Sequence, residues 1–237
     1  MKKIKNGNFV GLLITAALLF YLTGCNKHED QVITDVEGNV YRTVTIGSQV
    51  WMAENLKTRL FNDSTRINLV TSATTWTSTT NPAYCWYNND TLNRSVYGAI
   101  YNWFAVRSGK LCPTGWHVPG HDEFKILEMS LGMTKEEADS LGWRGTDQGT
   151  KLKSRTGWDN NGNGTNRSGF SALPGGYRYG ANGAFYNLGE LSYWWSSSEK
   201  SATLGLYRRL DGNESKVYAE GVRKQAGKYV RCVKNPS

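Results

Sequence analysis

Leu204-Gly205-Leu206-Tyr207-Arg208-Arg209-Leu210, Asp211-Gly212-Asn213 and Lys216-Val217-Tyr218-Ala219 together decide the fold class. Two strand-forming runs flank a turn of residues that tolerate tight backbone geometry, which predicts an antiparallel hairpin. Phe170–Leu173 and Tyr193–Ser197 read as strands before it, and Lys228–Val233 as one after it. Near the N-terminus, Gln31–Asp35 and the alternating run Val40–Ile46 predict another hairpin, followed by Val50–Leu56. Helix signals are fewer. Tyr97, Ile100, Tyr101 and Phe104 form a stripe that predicts a helix ended by Gly109, and Phe124, Leu127 and Leu131 predict a second over His121–Leu131. Thr134 and Glu137 match a capping box that opens a short third helix. The Asn/Thr/Ser-rich stretch 62–95 reads as long ordered loop. The sum is an α+β domain with two or three short helices, a small twisted antiparallel sheet and long loops.

Composition agrees with short strands packed by rings. Nine Trp, 13 Tyr and 7 Phe accompany 26 Gly in 237 residues. Trp51, Trp103, Trp116 and one of the adjacent pair Trp194/Trp195 are expected in the core, because neighbours on a strand face opposite sides. Trp76, Trp86, Trp143 and Trp158 lie in polar loops and are expected to be more exposed. The net charge of +8 is scattered, which gives nucleic-acid binding no support.

The N-terminus carries Lys2, Lys3 and Lys5, then an uncharged apolar run from Phe9 to Leu22, too short to span a bilayer comfortably. Leu22-Thr23-Gly24-Cys25 closes it and resembles the lipobox of bacterial lipoproteins. That implies a signal peptide over 1–24, a lipidated Cys25, a tether over 25–31 and a folded domain over 32–237. In the tether, Lys27 and the acids Glu29 and Asp30 resemble the surface-export signal of Bacteroidetes lipoproteins. The expected location is the outer membrane at the cell surface, with acyl chains as the membrane anchor.

An exported chain folds where disulfides persist, so three remaining cysteines imply one pair and one leftover thiol. Cys112–Cys232 is the favoured pair, and Cys85, between Tyr84 and Trp86, is expected to be a buried free thiol.

Several phrases then occur in order: Val50-Trp51-Met52-Ala53-Glu54-Asn55-Leu56, Cys85–Asp90, Tyr97–Trp103, Leu111–Pro119, Gly169–Arg178, Trp194–Ser197 and Val230–Val233. They resemble the Fibrobacter succinogenes major paralogous domain over roughly Val32 to Lys234. The C-terminal half resembles the C-type-lectin-like fold shared with formylglycine-generating enzymes, where a disulfide commonly ties a helical segment to the last strand. The resemblance therefore supports Cys112–Cys232. The chain departs from the commoner family pattern in a longer insert, Thr134–Arg144.

Chemistry is thinly signalled. No histidine pair has metal-ligand spacing, His117 is expected to be packed and hydrogen-bonded, and no catalytic residue is assigned. Asp159, Asn161 and Asn163, with Gly164 closing the loop, match the first half of a calcium loop, but Phe170 stands where a bidentate Glu would close it. An Asn/Gly turn without metal is the alternative. Trp86, Trp143 and Trp158 are candidate ligand-binding rings for a glycan or protein ligand. Ser64, Thr91 and Ser140 follow aspartates in a pattern resembling Bacteroidetes O-glycosylation acceptors. The expected function is a non-catalytic surface binding module. A structural or adhesive envelope component, and an enzyme acting on envelope or dietary polymers, are the alternatives.

Overall fold

The computed structural model describes Met1 and residues 31–236. Among the described residues the architecture is α+β, with six short helices and fourteen strands. The strands are β1 (Val32–Thr34), β2 (Val40–Ile46), β3 (Gln49–Met52), β4 (Asn68–Leu69), β5 (Ala83–Cys85), β6 (Ile100–Tyr101) and β7 (Trp116–His117). They continue with β8 (Gly142–Arg144), β9 (Gly175–Arg178), β10 (Phe185–Leu188), β11 (Leu191–Ser201), β12 (Leu204–Asp211), β13 (Val217–Arg223) and β14 (Val233–Lys234). The helices are α1 (Ala73–Ser78), α2 (Asn93–Tyr97), α3 (Trp103–Val106), α4 (His121–Ser130), α5 (Lys135–Asp139) and α6 (Gln148–Leu152). None is long and apolar enough to cross a membrane.

The largest sheet has six strands in the order β10-β9-β11-β12-β13-β8, and its centre is the expected hairpin around Asp211-Gly212-Asn213. A five-stranded sheet (β1-β2-β3-β14-β7) and a three-stranded one (β4-β5-β6) complete the framework. The segment 226–233 joins all three. Its backbone pairs with Arg178, Tyr101, Tyr193 and Trp195, then with Leu56 and Met52, before β14 inserts between β3 and β7. The Cys112–Cys232 disulfide ties this seam to the loop before β7, and Cys85 is a buried free thiol. Burial pushes the Cys85 thiol up to about 12.

Several expectations need correction. Among the described residues the helices number six rather than two or three, and the strands form three sheets rather than one small one, because the polar stretch 62–95 folds into elements of its own. Lys228–Val233 is a strand only at Val233, with single bridges at Lys228 and Tyr229. The 97–106 stripe is broken: Gly98 sits at φ 81, and Ile100 and Tyr101 pair with β5 instead of continuing a helix. Its period was matched by chance, because Tyr101 N–H bonds Lys228 O across the seam and a new helix starts only where Asn102 caps α3. The stretch 62–95 is not all loop, since it contains α1, α2, β4 and β5. Phe170–Leu173 is not a strand: Ser171 lies at φ 55 and only Ala172 makes a bridge, to Lys153. The capping box at Thr134 is present as expected.

Long loops leave carbonyls without strand partners, and buried cations take them. Arg178 donates to the carbonyls of Gly183, Val70 and Thr71 at 2.9, 2.6 and 2.7 Å. Lys153 Nζ donates to those of Asp211, Gly212 and Glu214 at 2.8, 3.3 and 3.1 Å. Charge-assisted bonds of this kind hold loop backbone more firmly than neutral ones.

Between α4 and the six-stranded sheet, Glu128 accepts from Arg144 at 2.6 Å and from Arg208 at 2.7 Å. Arg208 Nη1 also donates to His121 Nδ1 at 3.0 Å, which requires that nitrogen to be unprotonated. Burial first, then Arg208, Lys125 and Arg144, lowers the His121 pKa to about 4, with Glu128 opposing. A depressed histidine favours the folded state only while neutral. The unfolded chain therefore takes up the proton first, and stability falls as pH drops from about 6.5 to about 4. Such a shift is worth at most about 3 kcal/mol, and solvent screening of a half-buried ring leaves about 1–2 kcal/mol. Denaturant unfolding at pH 7 and pH 4.5 measures this. The wild type should lose this increment relative to His121→Gln, and parallel losses would remove His121 as the cause.

Candidate functional site

Alternation along the six-stranded sheet sends two kinds of side chain to its two faces. Trp194, Arg208, Leu210 and Val217 point to the core beneath α4, where Trp194 meets Phe170 at 5.6 Å between ring centroids. Tyr193, Tyr207, Arg209 and Tyr218 point the other way. The register places one member of a cross-strand row on every strand: Tyr186 opposite Tyr177, Tyr193 opposite Arg209, Arg209 opposite Tyr218, and Tyr218 opposite Trp143.

The rings touch in an unbroken series. Centroid separations are 5.9 Å for Tyr186–Tyr177, 4.5 Å for Tyr177–Tyr193, 5.8 Å for Tyr193–Tyr207, 6.2 Å for Tyr207–Tyr218 and 5.1 Å for Tyr218–Trp143. Tyr179 adds a further ring 6.2 Å from Tyr186. Exposure is greatest at the ends (Trp143 37%, Tyr186 39%, Tyr179 40%) and least at the centre, where Tyr193 is 6% exposed. The Arg209 guanidinium lies 5.0 Å from the Trp143 ring and 5.5 Å from Tyr218, held by Asp211 at 2.6 Å.

Behind the row sits Lys228. Its ammonium is 4.1 Å from the Tyr193 centroid and 4.0 Å from that of Tyr207, and burial holds its pKa well below the ordinary lysine value. The row is thus braced from inside by a cation against the faces of its two central rings. Glycine makes the edge of the row possible. Gly176 lies at φ 67, and a Cβ there would come within 2.4 Å of Tyr186 O and 2.6 Å of the Tyr87 ring.

Of the three tryptophans expected to bind ligand, Trp143 belongs to this row. Trp86 and Trp158 do not, and both are 4% exposed. Trp86 packs edge-on against Tyr84 at 5.3 Å, and Trp158 donates its indole N–H to Ser154 Oγ at 3.1 Å and Ala172 O at 2.9 Å. Trp76, also expected to be exposed, is fully buried beneath the Arg178 guanidinium at 4.4 Å. The reasons differ: Trp76 is the one buried residue of α1 and Trp158 the large apolar ring of an Asn/Gly-rich loop, whereas Trp86 continues the buried run Ala83–Tyr87. Trp51 and Trp103 are buried as expected, Trp116 is only half-buried, and Trp194 and Trp195 are both buried because each face of β11 meets a separate core. The insert Thr134–Arg144 forms α5 and β8, which supplies Trp143.

Of the oxygens expected for calcium, only that of Asn163 has a hydrogen-bond partner among the described residues. Asn160 and Asn161 adopt positive φ, Asn163 Oδ1 accepts from Trp158 N–H at 3.1 Å, and the Asp159 carboxylate lies against Gly189. The Lys153 ammonium fills the converging carbonyls beside them. Among the described residues no group of three or more His, Cys, Asp or Glu could hold a metal ion. Ser64, Thr91 and Ser140 are exposed, whereas Cys25 lies outside the described residues. His117 bonds Asn235 Oδ1 and Glu123 Oε1, both at 2.7 Å.

The chain belongs to the Fibrobacter succinogenes major domain family, whose model matches residues 44–234. No curated protein and no solved structure shows significant similarity to it.

Proposed function

We propose that the protein is a non-catalytic binding module, displayed at the bacterial surface by a lipidated Cys25, whose aromatic sheet face takes an extended glycan. The observation that carries this is the row of touching rings across all six strands of one sheet, exposed at its ends and buried at Tyr193. Six strands at about 4.8 Å spacing make a platform of about 24 Å, long enough for several consecutive pyranose rings. Sugars offer apolar C–H faces to such rings while Arg209, Asp211 and the Tyr hydroxyls remain to bind hydroxyl groups. The reading of a C-type-lectin-like fold is part of this proposal and is supported by the α+β framework with long loops and a disulfide closing on the last strand. A calcium ion at Asp159, Asn161 and Asn163 is not needed for it.

A protein ligand is the second reading, favoured by the same Tyr, Trp and Arg composition, which marks interface hot spots. The test is affinity electrophoresis of residues 26–237 in gels containing soluble polysaccharides. Retardation by at least one polysaccharide is expected, and Trp143→Ala with Tyr218→Ala should weaken it about tenfold or more, since stacked rings contribute about 1–3 kcal/mol each in analogous base stacking. Retardation unchanged in the double variant would remove the sheet face from the account. No retardation in any gel would reject the glycan reading.

A further inference from the structure

A cleft of about 490 Å³ opens beside the central seam at Arg231, between β2, the chain after β3, α2 and the loop 154–173. Its charge is one-sided. Arg42, Lys57, Arg94, Arg155 and Arg231 line it against the single carboxylate of Glu54. That carboxylate is already engaged, accepting from Arg42 at 3.0 Å with Lys57 at 3.9 Å.

Arg231 is 2% exposed. Its contacts are all neutral: Asn55 Oδ1 at 2.9 Å, Ser171 O at 3.2 Å, and Phe170 O. Asn55 Oδ1 also accepts from the Trp194 indole at 2.8 Å, so the guanidinium is fixed in place by the core. At the rim, Arg94 donates through Nη2 to Asn39 Oδ1 at 3.0 Å and Arg155 through Nε to Thr165 O at 3.1 Å. Each of these bonds orients its guanidinium while leaving other N–H groups over. Among the described residues Arg94, Arg155 and Arg231 make no ion pair. Holding cations together without a counter-charge is unfavourable, and a concave wall of one sign concentrates potential for ions of the other.

We propose that this cleft is a second binding site, for a small ligand bearing a carboxylate, sulfate or phosphate group. Planar guanidinium groups suit these oxyanions because each offers paired N–H donors. The volume suits a monosaccharide-sized ligand rather than a polymer. The site does not depend on the aromatic face.

Calorimetric titration of residues 26–237 with glucuronate, inorganic sulfate and inorganic phosphate, at constant ionic strength and with glucose as the uncharged control, tests it. Saturable binding of at least one anion is expected, with Kd raised at least tenfold in Arg94→Gln/Arg155→Gln and in the independent variant Arg42→Gln. A charge-assisted hydrogen bond carries about that factor. Trp143→Ala should bind the anion as the wild type does. Preference for glucuronate would assign a carboxylate ligand, and preference for sulfate or phosphate a tetrahedral one. No saturable binding by any of the three, equal binding of glucose, or unchanged Kd in variants that melt like the wild type would overturn the proposal.

Discussion

Glu128→Ala is expected to lower the unfolding free energy by about 3–5 kcal/mol, the range for breaking a buried ion pair by removing one partner. Glu128 is 1% exposed and is the one carboxylate between two guanidinium groups, those of Arg144 and Arg208, which are themselves 4% and 2% exposed. Without it two buried positive charges face each other. Arg144 has no full set of alternatives, since its Nε and Nη1 already lack partners among the described residues, and Arg208 would keep only the neutral groups of His121. Glu128→Gln keeps the shape but not the charge and should cost less than the alanine change while remaining destabilising. The consequence reaches the aromatic face, because Arg208 and Arg144 are chain neighbours of Arg209 and Trp143. Urea unfolding of the variants measures the stability. A loss below about 1 kcal/mol for Glu128→Ala would show that the arginines are solvated or repaired in solution, and that the network is not what holds α4 to the sheet.

Opening the Cys112–Cys232 disulfide is expected to have a comparable effect. The cysteines are 120 residues apart, and closing a loop of that length removes enough disorder from the unfolded chain to contribute up to about 5 kcal/mol, with about 2–5 typical of small exported domains. The bond is placed where it matters. Cys232 O accepts from Met52 N–H, and its neighbours Arg231 and Val233 contact the cleft and β3, so the disulfide pins the strand that joins the sheets. Cys112→Ala/Cys232→Ala should unfold at markedly lower urea, and the oxidised domain lacking Cys25 should show one titratable thiol after denaturation without reductant. Three thiols, or an unchanged urea midpoint, would contradict this.

Features carried by a few adjacent residues were legible in the chain. Asp211-Gly212-Asn213 turns the central hairpin, Thr134 and Glu137 cap α5, and His121–Ser130 is a helix with acids in its first turn. What the chain hides is which side chains meet across strands. Tyr177, Tyr193, Tyr207 and Tyr218 come from four strands whose neighbourhood depends on topology, including a parallel contact between β9 and β11. One signal was available: Tyr177 and Tyr179 alternate, as residues on one face of a strand do. Trp76, Trp86 and Trp158 mislead in the opposite sense, because polar residues around them suggest exposure while the fold buries the indole within its own segment. The cleft was equally hidden, since Arg42, Arg94, Arg155 and Arg231 are scattered along the chain and converge only in the fold.

The most direct measurement for the central claim is a nuclear magnetic resonance titration of residues 26–237, with tyrosine and tryptophan ring signals assigned, against oligosaccharides cut from a polysaccharide that retards the protein. The account predicts shifts concentrated in Trp143, Tyr177, Tyr186, Tyr207 and Tyr218. Shifts that bypass these five rings, with the binding seated elsewhere on the molecule, would contradict it.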